Sequence, residues 1–266
     1  MKRLIVMIMC AIMLTAFALG CGVEKSSGKD TEAGYASKTA EPTVPPAPEP
    51  TQEQPTPQPT STPAPTPVPT VNPYALAEVG GRIKFGGYTW LVLAIEDGKA
   101  LIITEDILWK CGYHAAVVGV TWEDCALRKY LNDEFYNTFS AEERRLIVET
   151  TLRNPDNLWY GTEGGGDTLD RIFLLSLEEA DRYFGDSGDY RNINRKGSGG
   201  YWFSNDHDEE RQAAYEGDAG YWWLRSSGFD SRDATYVYDT GRVGVYGINV
   251  TYIRGVRPAL WLYLGD

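Results

Sequence analysis

The apolar positions of this chain fall into runs separated by polar breaks, and the clearest pair begins at Tyr88. Tyr88-Thr89-Trp90-Leu91-Val92-Leu93-Ala94-Ile95 is apolar and aromatic, Glu96-Asp97-Gly98-Lys99 interrupts it, and Ala100-Leu101-Ile102-Ile103-Thr104 resumes it. Two β-type runs joined through Asp-Gly predict a hairpin, because its tight turn needs positive φ angles that glycine adopts cheaply. The period then changes. Leu127, Leu131 and Phe135 recur every four residues, which predicts a helix from Trp122 to Asn137 with Thr121 as cap and Asp124 as the returning acid. Ser140 with Glu143 starts a second helix running through Leu146 and Ile147. Arg171-Ile172-Phe173-Leu174-Leu175 reads as a buried strand, and Ser176 with Glu179 caps a short third helix that stops at Gly185. From Gly185 to Gly220 the chain is rich in glycine, asparagine and aspartate, which predicts long surface loops. Strand-like runs return at Tyr221–Leu224, Thr235–Tyr238, Val243–Tyr246, Val250–Ile253 and Val256–Leu262, with a turn at Thr240-Gly241. Strands at both ends with helices between them predict one α+β domain over residues 74–266.

The N-terminal segment has a different pattern. Lys2 and Arg3 precede an uncharged apolar run from Leu4 to Leu19. A membrane span needs ~20 apolar residues, so the run suits the core of a signal peptide better. It closes on Ala18-Leu19-Gly20-Cys21, which resembles the lipobox of bacterial lipoproteins. That resemblance implies a signal peptide over 1–20 and a diacylglycerol on Cys21, holding the chain on the outer face of the cell membrane. The other reading is a plain N-terminal membrane helix, and both place the remainder outside the cytoplasm. Residues 21–73 then read as a disordered tether. Thirteen of the fifteen prolines lie between Pro42 and Pro73, interleaved with threonine, alanine and glutamate. Proline has no amide donor and a fixed φ, so the stretch predicts a solvated polyproline-type spacer. At about 3.1 Å per residue it reaches roughly 100 Å.

Charge narrows the partners. Residues 74–266 hold 31 acidic and 20 basic residues. So acidic a domain argues against nucleic acid and against docking on anionic lipid by charge. Two of the four cysteines remain beyond Cys21, namely Cys111 and Cys125; they either pair or stay as buried thiols, and their spacing carries no zinc pattern.

The landmarks Phe85-Gly86-Gly87-Tyr88-Thr89-Trp90, Thr121-Trp122-Glu123 with Leu127-Arg128 and Leu131-Asn132, and Phe173-Leu174-Leu175-Ser176 occur in order. Trp222-Trp223-Leu224-Arg225-Ser226 and Gly255-Val256-Arg257-Pro258-Ala259-Leu260 follow. The series resembles the extracellular bacterial modules of domain of unknown function 6273, over nearly all of residues 79–263, and that family carries no established activity. The terminal pattern also resembles C-type-lectin-like modules of bacterial surface proteins. That resemblance implies paired terminal strands, helices packed on one side, and a binding loop region at residues 185–220 and the turns from Phe229 to Asp233.

Catalytic signatures are missing from the pattern: His114 and His207 form no HExxH pair, no serine sits in a nucleophile elbow, and Gly161–Thr168 lacks the P-loop lysine. Binding residues are easier to nominate. Trp159, Tyr160, Tyr201, Trp202, Tyr215 and Tyr221 lie in or beside the loops, and flat aromatic faces suit sugar rings. Trp159 and Trp202 are expected to be exposed. Arg225 and Arg257 are charges inside apolar strand motifs, expected either to lock loops to the sheet or to bind an anion. Asp206-His207-Asp208-Glu209-Glu210 is the densest acidic run, and Asp206, Asp208, Glu209 and Glu210 are the candidate calcium ligands, although the spacing is not that of an EF-hand. The expectation is a surface module that binds a glycan, a wall component or a protein. An extracellular hydrolase using Glu163, Asp167, Asp206 or Asp218 is one alternative, and a scaffold without a small ligand is another.

Overall fold

Five antiparallel strands form the first sheet: β1 (Arg82–Phe85), β2 (Tyr88–Glu96), β3 (Lys99–Thr104), β15 (Ala259–Tyr263) and β5 (Ile147–Val148), in the order β1-β2-β3-β15-β5. The computed structural model describes residues 72–192 and 200–265, which belong to one compact unit. The expected signal peptide, Cys21 and the expected tether as far as residue 71 lie outside the described residues, as do residues 193–199. Asn72 already belongs to the fold, because its side-chain amide donates to the Tyr263 carbonyl at 2.9 Å.

The predicted hairpin is present. Asp97 (φ 48°) and Gly98 (φ 70°) supply the two positive angles of its turn. β3 is buried from Ala100 to Thr104, as expected for an inner strand covered on both faces. Phe85, Trp109, Tyr130, Phe135 and Phe139 form a chain of ring contacts between the strands and the helical segment, with centroids 5.1–5.7 Å apart.

That helical segment is shorter and less regular than the four-residue period predicts. Helix α1 (Ala126–Tyr130) is capped by Cys125, whose sulfur accepts the Arg128 amide at 3.3 Å. Thr121 instead closes a turn through its carbonyl, which accepts the amides of Asp124 and Cys125. A π-turn over Leu131–Phe135 and a 3-10 turn over Tyr136–Thr138 follow. The apolar stripe survives because Leu127, Leu131 and Phe135 all stay buried. Both capping boxes hold, so α2 (Ala141–Leu146) begins after Ser140 and α3 (Leu177–Arg182) after Ser176.

The second sheet has the order β4-β14-β11-β12-β13-β8, from β4 (Trp109–Cys111), β14 (Arg254–Val256), β11 (Trp222–Ser227), β12 (Asp233–Val237), β13 (Val243–Asn249) and β8 (Trp202–Phe203). Its one parallel pair, β11 with β14, is close enough that a Cβ on Gly255 would meet Ile107 and the Tyr221 carbonyl at 2.7 Å. Two small pairs complete the strands: β6 (Thr150–Leu152) with β7 (Thr168–Asp170), and β9 (Ala214–Tyr215) with β10 (Asp218–Ala219). A one-turn helix α4 (Asp208–Arg211) lies between β8 and β9.

Three predicted strands are corrected. Ile172–Leu175 is buried, but Arg171–Leu175 forms only a bridge between Phe173 and Ala259, since the Asn132 carboxamide takes the amides of Arg171 and Ile172 and donates to the Ile172 carbonyl. Val250–Ile253 is a turn in which the Asn249 side chain accepts from the Thr251 amide and hydroxyl. Val256–Leu262 divides at Arg257-Pro258, where the chain leaves the second sheet for the first; the Pro258 carbonyl accepts the Thr104 amide at 3.0 Å. The described residues thus form an α+β domain dominated by sheet, and none of their helices is long and apolar enough to cross a membrane.

Candidate functional site

Four rings meet at one edge of the second sheet. Tyr246 lies on β13, Phe229 follows β11, Tyr160 comes from the loop between β6 and β7, and Tyr201 precedes β8. Phe229 and Tyr246 stack with centroids 5.0 Å apart and planes inclined by 5°. Tyr160 stands edge-on to both at 5.3 and 5.7 Å, and Tyr201 meets Tyr246 at 4.8 Å. Backbone bonds lock the rings in place. The Phe229 amide donates to the Tyr246 carbonyl at 2.7 Å, and the Tyr246 amide to the Tyr201 carbonyl at 3.0 Å. The Tyr160 hydroxyl donates to the Gly200 carbonyl. Burial first, then Tyr246 and Tyr201, raises the Tyr160 pKa. Tyr201 and Phe229 remain about half exposed, at 48% and 51%.

Asn157 holds the loop that delivers Tyr160. It is buried, its amide donates to the carbonyls of Ser227 (2.8 Å) and Val245 (3.0 Å), and its carbonyl oxygen accepts the Trp159 amide. Thr162 closes the loop by donating to the Phe229 carbonyl at 2.8 Å. This corrects the exposed placement of Trp159: its ring is 6% exposed, pairs with Phe203, and donates to the Tyr190 carbonyl at 2.7 Å. Trp202 is half-buried beneath the Arg242 guanidinium, 4.5 Å from the ring centroid. It joins no ring pair of the platform, whereas its neighbour Tyr201 does.

The two strand arginines sit in different clefts. Arg225 is nearly fully buried and makes five hydrogen bonds to four residues: a two-pronged ion pair with Glu179, and bonds to Asn154 Oδ1 (3.1 Å), the Leu174 carbonyl (2.9 Å) and the Arg153 carbonyl (3.2 Å). It borders a lateral cleft of about 550 Å³. Arg257, 2% exposed, lines the larger cleft of about 760 Å³ between the first hairpin and the α4–β10 segment. Its Nε donates to the Thr104 carbonyl at 2.7 Å and its Nη1 reaches the Arg211 carbonyl at 3.4 Å.

Residues 97–264 match the family described as domain of unknown function (DUF6273). The chain belongs to that family. No curated protein and no solved structure matches it. The matched residues of the DUF6273 domain begin at the hairpin turn, so β1 and β2 precede them, although both pair into its first sheet.

Within the DUF6273 domain the acidic run is organised around an arginine rather than a metal. Asp208 accepts from Arg211 Nη2 (2.6 Å), the Asn205 amide (3.2 Å) and the Ser204 hydroxyl. His207 faces Glu210 at 3.6 Å, and Asp206 and Glu209 are exposed. Among the described residues no three His, Cys, Asp or Glu side chains come together to hold a metal, those of Asp206, Asp208, Glu209 and Glu210 included. Of the acids nominated for hydrolysis, Asp167 lines the lateral cleft, and Glu163, Asp206 and Asp218 line neither large cleft. Cys125 is a buried thiol that does not pair with Cys111, and burial pushes its pKa up to about 12.

The pattern-based reading missed Phe229 and Tyr246 as ring partners, and missed Arg211 altogether. Arg211 is buried although it closes the run Asp208-Glu209-Glu210. Its signal was an arginine three residues after an aspartate and just before Ala213-Ala214, a spacing that permits an ion pair across one helical turn.

Proposed function

We propose that the chain is a surface lipoprotein, anchored through Cys21 and held out by its proline-rich tether, whose DUF6273 domain binds an extracellular glycan on the Tyr160–Tyr201–Phe229–Tyr246 platform. The carrying observation is two half-exposed rings, Tyr201 and Phe229, fixed by a stacked partner and by backbone bonds. A sugar ring presents C–H faces and hydroxyls together, and preordered tyrosine and phenylalanine faces match both at low entropic cost. A C-type-lectin-like arrangement fits this reading. The last strand, β15, lies in one sheet with the first hairpin, and Tyr201 and Phe229 fall in the segments where that resemblance expects the binding loops. The surface acidity of the domain suits a neutral polymer better than a polyanion.

Binding of the full-length chain to a panel of cell-wall fragments and glycans tests this. Tyr201→Ala and Phe229→Ala are expected to weaken glycan binding at least tenfold, about 1.4 kcal/mol, without changing the thermal unfolding midpoint. Undiminished binding by both variants, or binding of a protein partner only, overturns the reading.

A further inference from the structure

Arg257 stands in the larger cleft with Asp106 and Glu105 nearby but no carboxylate bonded to it. It makes no ion pair among the described residues, and both of its hydrogen bonds go to neutral carbonyls, leaving Nη2 with no partner. The rings of Trp222 and Phe184 flank the guanidinium at 5.1 and 5.7 Å. Burial pulls its pKa down to about 10, an effect that Asp106 and Glu105 only partly offset. A buried guanidinium normally comes with a carboxylate, because its planar fork is matched by two parallel bonds. Among the described residues no carboxylate completes that pair.

The rest of the cleft has the opposite sign. Its lining includes four acids, Glu105, Asp106, Glu209 and Glu210, against Arg82 and Arg257. Arg82 is engaged by Glu105, and Asp106, Glu209 and Glu210 stand exposed at the rim without an arginine ion pair. Apolar wall is supplied by Leu93, Phe184 and Ala213. A simple anion would be repelled by the rim before reaching the arginine, and a simple cation would leave the arginine unmatched.

We propose that this cleft binds a small zwitterion of the amino-acid or peptide-terminus class, its carboxylate docked on Arg257 and its amine held by Asp106, Glu209 or Glu210. Its volume of about 760 Å³ falls within the range of small-molecule sites. The site is separate from the aromatic platform and shares no residue with it.

Calorimetric titration of the purified full-length chain with lysine, alanyl-lysine, acetate and n-butylamine tests the assignment. Lysine or alanyl-lysine is expected to bind at least tenfold more tightly than acetate or n-butylamine, and the better of the two distinguishes a free amino acid from a peptide terminus. Arg257→Lys is expected to lower that affinity at least tenfold, and the double variant Glu209→Gln with Glu210→Gln at least threefold. Should the Arg257 variant not fold, the Arg257 Nε–Hε resonance of the native chain replaces it, and is expected to shift with lysine but not with n-butylamine. Equal binding of acetate and lysine, no binding of any probe, or an unmoved Arg257 resonance overturns the proposal. Tyr201→Ala, which removes a platform ring, is expected to leave lysine binding unchanged, so failure of the glycan reading is separable from failure of this one.

Discussion

Arg225 sits between Leu224 and Ser226 on β11, and Arg257 sits between Val256 and Pro258 where the chain passes from one sheet to the other. Both are charges in apolar surroundings, and both are almost completely buried. Arg225 is met by the Glu179 carboxylate, by Asn154 and by two carbonyls, so its fork is saturated from within the chain. Arg257 finds two carbonyls and no carboxylate. An arginine saturated by its own chain fastens elements together, here α3 and the loop after β6 to the second sheet. One left without a bonded carboxylate at the wall of a cleft adds little to stability, and its charge is available to a ligand.

Stability measurements can break that distinction. Arg225→Met removes the fork and leaves Glu179 and several carbonyls facing apolar surface, so about 3 kcal/mol of unfolding free energy should be lost in urea denaturation. Asn157→Ala comes next. It strips two bonded carbonyls and the Trp159 amide of their partner, with an expected loss of about 2 kcal/mol and weaker glycan binding through a loosened Tyr160. Glu179→Gln keeps the size of the side chain but removes its charge, and should cost about 1 kcal/mol, mostly through the Arg225 pair. Arg257→Met should cost less than about 1 kcal/mol, because the lost carbonyl bonds are offset by relief of an unpaired buried charge.

The smallest expected effect concerns acid. Burial, followed by Lys129, lowers the His114 pKa, and its Nδ1 accepts the Ala126 amide at 3.2 Å at the start of α1. The folded state therefore prefers neutral imidazole, and its contribution is full above the ordinary value of 6.5 and falls away as pH drops through the lower folded value. Unfolding midpoints measured against pH should decline less steeply in His114→Gln than in the native chain. Equal slopes would show that His114 contributes nothing.

Local signals were legible in the residues, and tertiary ones were not. The Asp97-Gly98 turn and the Ser140–Glu143 and Ser176–Glu179 boxes need only residues a few positions apart, and all three formed as expected. The start of α1 was hidden, since a cysteine is an uncommon cap and a π-turn leaves no mark in a four-residue period. Strand character at Arg171–Leu175 was misread for a different reason. Apolar residues reveal burial, but only the distant Asn132 decides where the backbone bonds go. The arginines were visible as charges in apolar strands, whereas the carboxylate that meets one and not the other lies 46 residues from Arg225 in sequence. The platform was half visible. Tyr160 and Tyr201 stood out in loops, but Phe229 and Tyr246 join them only once β13 pairs with β12 and β8.

The distinction between the two arginines is tested most directly by urea unfolding of Arg225→Met and Arg257→Met side by side with the native chain. The account predicts a gap of at least about 2 kcal/mol, with Arg225→Met far less stable and Arg257→Met close to native. Equal losses in the two variants would make Arg257 a structural lock like Arg225 and contradict its assignment to a ligand.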